Sequence, residues 1–319
     1  MIEGLSRDFS EPLNPREFTD TLAHLSLDQR NTFWKIYSAN QNSLTRDEAT
    51  QRRILIDLLR DASKDIEQHA ARTFSDLGVE NWDLQTMRRM GRDRVLFEQI
   101  RQRLQALNSN LNSHVEQAML SHYKKSYYRQ AYKMDSITPP DVGIRFDIMP
   151  DHEIIAMLHR PFEGAMFSDR LGLITDEMAG NIHSELTRSM IDGESWNQAA
   201  RRIRGEMGTR GRKAMYRSEI IARTEIARAQ EMGSQQFNRD NDDIIDKVVW
   251  VAHAGACDDC RAMNGTVLED PEDYPPEASH PNCTCCSQAI PKRNGKEVIE
   301  LPAPKGFDNW MEEKVGGTI

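Results

Sequence analysis

The chain has 319 residues, enough for two domains and at least one sizeable core, and carries 41 basic against 50 acidic side chains for a net charge of −9. Charged residues make up 29% and hydrophobic residues 38%, with a mean hydropathy of −0.67, a composition above the disordered class that suits long, partly solvated helices. The acidic balance excludes a protein that wraps DNA over its whole surface but allows a local basic face, and no run of about 18 apolar residues is present to span a membrane.

The N-terminal stretch MIEGLSRDFSEPLNPREF has no apolar core and no basic start, so no export signal is expected and folding in a cytosol is predicted. The first 45 residues read as mixed, with Pro12 and Pro15. From about Thr45 the period turns helical: Ile54, Leu55, Leu58, Leu59, Ala62 and Ile66 recur at three- and four-residue spacing. Gly78 and the following NWD predict a break. A second run starts near Arg88, where Ile100, Leu104, Leu107, Leu111, Val115 and Ala118 form a near-heptad seam in a helix expected to reach Met134. Some 40 helical residues would be roughly 60 Å long. Residues 1–135 are therefore expected to be a helical hairpin or arm. Because its seam is narrow, Val95, Leu96 and Phe97 are expected to seek partners on another chain.

Residues 136–150, SITPPDVGIRFDIMP with its neighbours, read as a linker. Helices are expected at 151–160, at 175–191 with Thr175 as cap, at 195–205 behind a Ser195/Gln198 capping box, and at about 212–238. After Asp246 the period changes to that of strands: KVVWVAH, GTVLE and the stretch after Cys283 are expected to pair in a small knuckle at 246–290. Helices over 151–240 and this knuckle would form one domain, 151–300, followed by an extended tail at 301–319. The fold class is thus α+β, predominantly helical, with a β-rich cysteine knuckle near its end.

All five cysteines lie between Cys257 and Cys286. A disulfide-stapled secreted protein would spread its cysteines to close loops, whereas a confined cluster points to metal. Cys257-Asp-Asp-Cys260 can place two thiolates on one tight turn about 2.3 Å from a tetrahedral zinc ion, and a second pair from a facing turn closes the site. The candidates are Cys257, Cys260, His280, Cys283 and Cys285. The first pair plus two of His280, Cys283 and Cys285 is the favoured set, and Cys286 should point away from Cys285 in an extended stretch. Disulfides, or reduced thiols without metal, are the other readings. A closed four-ligand zinc is structural, because catalysis needs an open coordination position.

The ordered set of RSEIIARTEIARAQEMGSQQF, VVWVAHAGACDDCRAMNGTVLED and SHPNCTC resembles the phage Mu F-like minor head protein family from Gly193 to about Ile290, about a third of the chain. The resemblance is carried by the ARTE helix (Ala222, Arg223, Thr224, Glu225), the strand tryptophan Trp250, the C-x2-C pair, the Asn264-Gly265 turn and HPNCTC. It departs at Thr284, where an arginine or similar residue is usual, and in the extra Cys286; which four side chains bind stays open. The resemblance implies a tailed-phage head morphogenesis protein of the virion, assembled in the host cytoplasm and attached to the portal protein at one vertex. Capsid or scaffolding protein and packaged DNA are further candidate partners on this reading, and no membrane is expected.

Other chemistry is sparse. Arg201, Arg202, Arg204, Arg210, Arg212, Lys213 and Arg217 crowd seventeen residues with one acid, Glu206, and offer contact to DNA or to an acidic portal surface, or simply a solvated face. On the helix Arg223 is expected to pair with Glu219, and Glu225 to reach the knuckle or its strand, solvated helix charges being the other reading. A zinc-dependent HNH-like nuclease, or a DNA-binding accessory protein, is the alternative; beside His253 and His280 no His-His or Asp-His pair accompanies the cysteines. The Ser-Thr-Ser and Glu-x-Glu segments of an ADP-ribosyltransferase and a Walker-type Gly-Lys-Ser/Thr loop are absent, so no enzyme is predicted.

Overall fold

Ser26 and Gln29 form a capping box at the start of the first helix: the Ser26 N–H donates to Gln29 Oε1 at 2.8 Å, and the Gln29 N–H donates to Ser26 Oγ at 3.2 Å. The helix therefore begins well before the expected Thr45 and runs from Leu27 to Ser75 as α1. The computed structural model describes residues 18, 20–75, 84–89, 91–140, 142–162, 164–253, 255–268, 280–283, 285–292 and 306–316. The expected break at Gly78 lies outside them. The remaining elements are α2 (Leu84–Arg89), α3 (Arg92–Ile137), α4 (Asp151–Leu158), α5 (Phe167–Ile191), α6 (Trp196–Asp240), β1 (Ile245–Val251), α7 (Asp258–Ala262), β2 (Val267–Leu268), β3 (Cys286–Pro291) and α8 (Phe307–Lys314).

The chain divides into two compact units whose segments alternate along the sequence. One contains residues 1–49, 117–158 and 223–319; the other contains 50–116 and 159–222. The helices α1, α3 and α6 contribute to both. In the second unit Arg103 of α3 pairs with Asp65 of α1 at 2.8 Å, and His69 bonds Gln99, which sets α1 and α3 antiparallel. Arg204–Glu67 at 3.0 Å and Arg52–Glu219 at 3.2 Å set α6 antiparallel to α1 as well. The seam Ile100, Leu104, Leu107, Leu111 and Val115 is buried in this unit, together with Leu171, Ile174, Ile182 and Leu186 of α5. Leu96 is buried too, and the Phe97 ring lies 3.9 Å from that of His183, so only Val95 of the three expected partner-seeking residues is exposed. Packing within the chain takes up the other two.

The first unit places a three-stranded antiparallel sheet, order β2-β1-β3, on the ends of the long helices. Its core joins Phe33, Ile36 and Tyr37 of α1, Tyr127, Ala131 and Met134 of α3, and Phe237 of α6 to Val248, Val249, Ala289 and Ile290 of the sheet. Lys133 donates to Gln288 of β3 at 2.8 Å, and Glu231 of α6 accepts from the Ser287 N–H at 3.1 Å, so buried polar pairs fix the position of β3. Ile144, Phe146 and Ile148 of the expected linker lie against this core, and Asn241 clips Arg145 through both backbone groups at 2.7 and 2.9 Å.

Three further expectations are corrected. α6 is one helix and not two: its three glycines between 205 and 211 each cost about 1 kcal/mol of helix propensity, but Ala199, Ala200 and Ile203 before them and Ala214 after them are buried. α5 starts at Phe167, with Thr175 inside it donating to the Gly172 carbonyl at 2.9 Å instead of capping. The expected extended tail holds α8, because Phe307, Trp310 and Met311 share one helical face; Trp310 Nε1 donates to Asp135 at 2.8 Å, and the ring packs near Tyr132 and Phe146. Of the capping box expected at Ser195 one half is present, Gln198 Oε1 accepting from the Ser195 N–H at 2.8 Å, while the Ser195 hydroxyl also donates to Gln198 Oε1.

Candidate metal centre

Strand β1 ends against a small second core made of Trp250, Ala252, Ala256, Cys260, Cys283 and Cys285. Trp250 is fully buried there, its N–H bonded to the Thr266 carbonyl and its carbonyl to the Gly265 N–H. Gly265 takes φ 80°, the left-handed conformation that favours glycine, and Asn264 Oδ1 accepts the Ala252 N–H at 2.9 Å. The Asn-Gly turn thus returns the chain from α7 to pair β2 with β1.

Cys257 is the N-cap of α7, and its sulfur accepts the Cys260 N–H at 3.4 Å. This hydrogen bond and the first turn of α7 favour negative charge on Cys257. His280 and Cys283 arrive on a facing turn closed by the Cys283 N–H to the His280 carbonyl at 3.1 Å. His280 Nδ1 lies 2.9 Å from the Pro281 carbonyl, an acceptor only, so Nδ1 carries a proton and in the neutral ring Nε2 is the atom with the lone pair. That Nε2 lies 3.0 Å from Cys257 Sγ and 3.4 Å from Cys260 Sγ, and Cys260 Sγ lies 3.5 Å from Cys283 Sγ.

These donors form two triads that share Cys260: Cys257, Cys260 and His280, and Cys260, Cys283 and Cys285, each with its ligand atoms within 4.8 Å of one another. Tetrahedral zinc separates two thiolates by about 3.8 Å, and a thiolate from an imidazole nitrogen by about 3.6 Å, given Zn–S near 2.3 Å and Zn–N near 2.0–2.1 Å. The observed separations of 3.0, 3.4 and 3.5 Å are somewhat shorter than these, and the chemistry of the donor set suits a borderline-soft cation. The cluster can hold a metal ion. Burial opposes ionisation of Cys257, but the Cys260 groups and His280 outweigh it and hold its pKa below that of a free thiol. Cys285 shifts the other way, raised by its hydrogen bonds to Cys260 and Cys283. Cys286 Sγ receives Gln288 Nε2 at 3.3 Å and Gln41 Nε2 at 3.6 Å in the larger core, away from both triads. Thr284 lies outside the described residues.

The ARTE residues stand against this turn. The Asn282 N–H donates to Thr224 Oγ1 at 2.9 Å, and Arg223 Nη1 donates to Asn282 Oδ1 at 2.7 Å. Arg223 also pairs with Glu48 of α1 at 3.2 Å, and Glu219 pairs with Arg52 at 3.2 Å. Glu225 is fully buried and accepts from Arg228 Nη1 at 3.1 Å. Sequence reasoning missed Glu48 and Asn282: the first is 175 positions from Arg223, and the second acts through a left-handed backbone and contacts to residues nearly sixty positions away.

Several of the basic residues of α6 have carboxylate partners. Arg202 is taken up by Glu194, Asp192 and Glu185 at 2.6, 3.4 and 3.5 Å, Arg204 by Glu67 and Arg217 by Glu177 at 2.5 Å. Arg201, Arg212 and Lys213 are exposed, the first two sharing a face three turns apart, and the Arg210 side chain lies outside the described residues. His253, a base in the nuclease alternative, accepts the Gly255 N–H at 3.0 Å inside its own turn.

No helix among the described residues is long and apolar enough to cross a membrane. No solved structure matches the chain. The NAD(+)--arginine ADP-ribosyltransferase EFV of Enterococcus faecalis (strain ATCC 700802 / V583) is 21% identical over 216 residues, covering 60% of this chain and 43% of that protein, so the chain spans less than half the length of this relative. Residues 180–288 match the family described as phage Mu protein F like protein, and that segment contains the ARTE turn of α6, Trp250 and all five cysteines. Over this segment the chain is similar to the phage Mu F-like family.

Proposed function

We propose that this chain is a minor head protein of a tailed phage that works as an interaction protein in head morphogenesis. It joins the portal protein at one vertex of the virion after assembly in the host cytoplasm. The observation that carries this reading is the family match over 180–288, which encloses the whole cluster and its ARTE support. Within it, one zinc ion is structural, bound by Cys257, Cys260 and two of His280, Cys283 and Cys285; four protein ligands leave no open position for chemistry. When bound, the metal supplies a cross-link between the turn of α7 and the turn before β3. The chain's own residues set the donor atoms, the His280 tautomer and the dry wall behind them.

The relative's transferase activity is not carried to this chain, because the match covers less than half of that protein. Capsid or scaffolding proteins and packaged DNA are secondary partners, the latter through Arg201 and Arg212. Docking on the portal is assigned to the helices of residues 1–135, whose Ile54 and Val95 are exposed at 36% and 45%. The test is incorporation into portal-containing particles. A chain with Ile54→Asp and Val95→Asp is expected to fold but to be missing from particles, whereas Leu173→Asp with Ile191→Asp, at exposed positions of α5, is expected to be incorporated. Full incorporation of the first variant assigns docking elsewhere.

A further inference from the structure

Asn282 stands at φ 65°, the left-handed region, the sole described non-glycine residue to do so. Asparagine enters this region more readily than most residues other than glycine, and the conformation persists where its surroundings hold it. Here two partners from α6 hold it: Thr224 Oγ1 takes the Asn282 N–H at 2.9 Å, and Arg223 Nη1 grips Asn282 Oδ1 at 2.7 Å. The Arg223 guanidinium is itself held by Glu48 at 3.2 Å, with both side chains mostly buried. Asn282 directly precedes Cys283 and lies two residues after His280. Its reversal of the chain brings His280 Nε2 within 3.4 Å and Cys283 Sγ within 3.5 Å of the same sulfur, that of Cys260.

We propose that Arg223 and Thr224 are positioning residues of the metal centre, which hold Asn282 in its left-handed turn so that His280 and Cys283 close on Cys260. The inference rests on the metal reading above. Neither residue is a ligand. They act one shell out, as hydrogen-bonded partners that orient metal ligands commonly do, and the loss of such a partner typically weakens metal binding about 10–100-fold. The pairing also explains why an ARTE helix and an HPNC turn occur together in this chain: each supplies half of one contact. Because Arg223 bridges Asn282 to Glu48, closure of the metal site and docking of α6 on α1 in this unit reinforce each other.

The test uses the full-length chain, with zinc affinity measured by competition against a chromophoric chelator and ligand geometry followed by the absorption bands of cobalt(II) substituted for zinc. Thr224→Val removes the acceptor and keeps the shape; Asn282→Gly keeps the left-handed backbone at no steric cost and removes the side-chain grip. Both are expected to weaken zinc binding at least tenfold and to alter the cobalt spectrum, with Thr224→Ser restoring both. Should Thr224→Val fail to fold, Asn282→Gly carries the same test. Wild-type affinity in Asn282→Gly and Thr224→Val overturns the positioning role while leaving the metal reading intact. A wild-type chain that binds neither zinc nor cobalt overturns the metal reading itself.

Discussion

At Gly233 the helices α6 and α3 approach so closely that a methyl group has nowhere to go. A Cβ built there would lie 2.3 Å from the carbonyl oxygen of Tyr123, 3.0 Å from its carbon and 3.2 Å from its Cα, all main-chain atoms that no rotamer change can move. In an open helix, glycine to alanine would stabilise by about 1 kcal/mol. Here the helices must part by about 1 Å, and overpacking of this kind typically costs 1–3 kcal/mol, at the upper end when the obstacle is backbone. Gly233→Ala should therefore destabilise the chain by about 2 kcal/mol net. The controls are Gly180→Ala and Gly205→Ala, in exposed stretches of α5 and α6 where an added Cβ meets nothing within 4 Å; these should be neutral or stabilising by up to about 1 kcal/mol. Thermal unfolding followed by circular dichroism and by tryptophan fluorescence separates them, since Trp34, Trp250 and Trp310 all report on the unit that contains Gly233. A Gly233→Ala chain as stable as its Gly180→Ala counterpart would refute the close approach of α3 and α6.

Two pH dependences follow from groups buried in the same unit. Burial lowers Lys133 to about 7 from its ordinary 10.5, with Cys286 opposing, so the unfolded chain binds more protons between those values; stability should rise with pH across that window, by at most about 1.4 kcal/mol per pH unit, and Lys133→Met should flatten the rise in denaturant titrations at pH 7 and 9.5. His122, lowered to about 4 chiefly by burial, accepts a hydrogen bond from Gln230 at 2.9 Å in its neutral form. Its contribution is full above about pH 6.5 and is lost as the pH falls through 4, so His122→Gln should make the acid limb of the stability profile shallower. An unchanged acid limb in that variant would mean that other groups set it.

What could be read from the sequence was whatever depends on near neighbours. The seam from Ile100 to Val115 has helical spacing and is buried; VVWV, a short apolar run rich in β-branched residues, forms a strand buried on both faces; Asn264-Gly265 makes the turn its residue types favour. The C-x2-C spacing placed two sulfurs on one turn because Cys257 caps α7. What was not legible depends on distant partners or on competition between local preferences. Glycines 205, 208 and 211 argue for a break, yet packing on both sides keeps α6 whole. The pairing of Arg223 with Glu48 joins segments far apart in the chain, which local helix spacing could not show. Ser26 and Gln29 did carry a readable capping signal, but the mixed composition around them obscured it.

The central claim is that the cluster at 257–285 is a metal centre that closes the phage Mu F-like segment. Metal content per chain, measured by elemental analysis on protein purified under reducing conditions, tests it most directly. The account predicts one zinc per chain, with Cys257→Ser or Cys283→Ser losing the metal and unfolding the region around β1 and β3, because binding energy at such a site is also folding energy. Trace metal in the wild-type chain, together with Cys257 and Cys283 recovered in disulfides from intact particles, would contradict it.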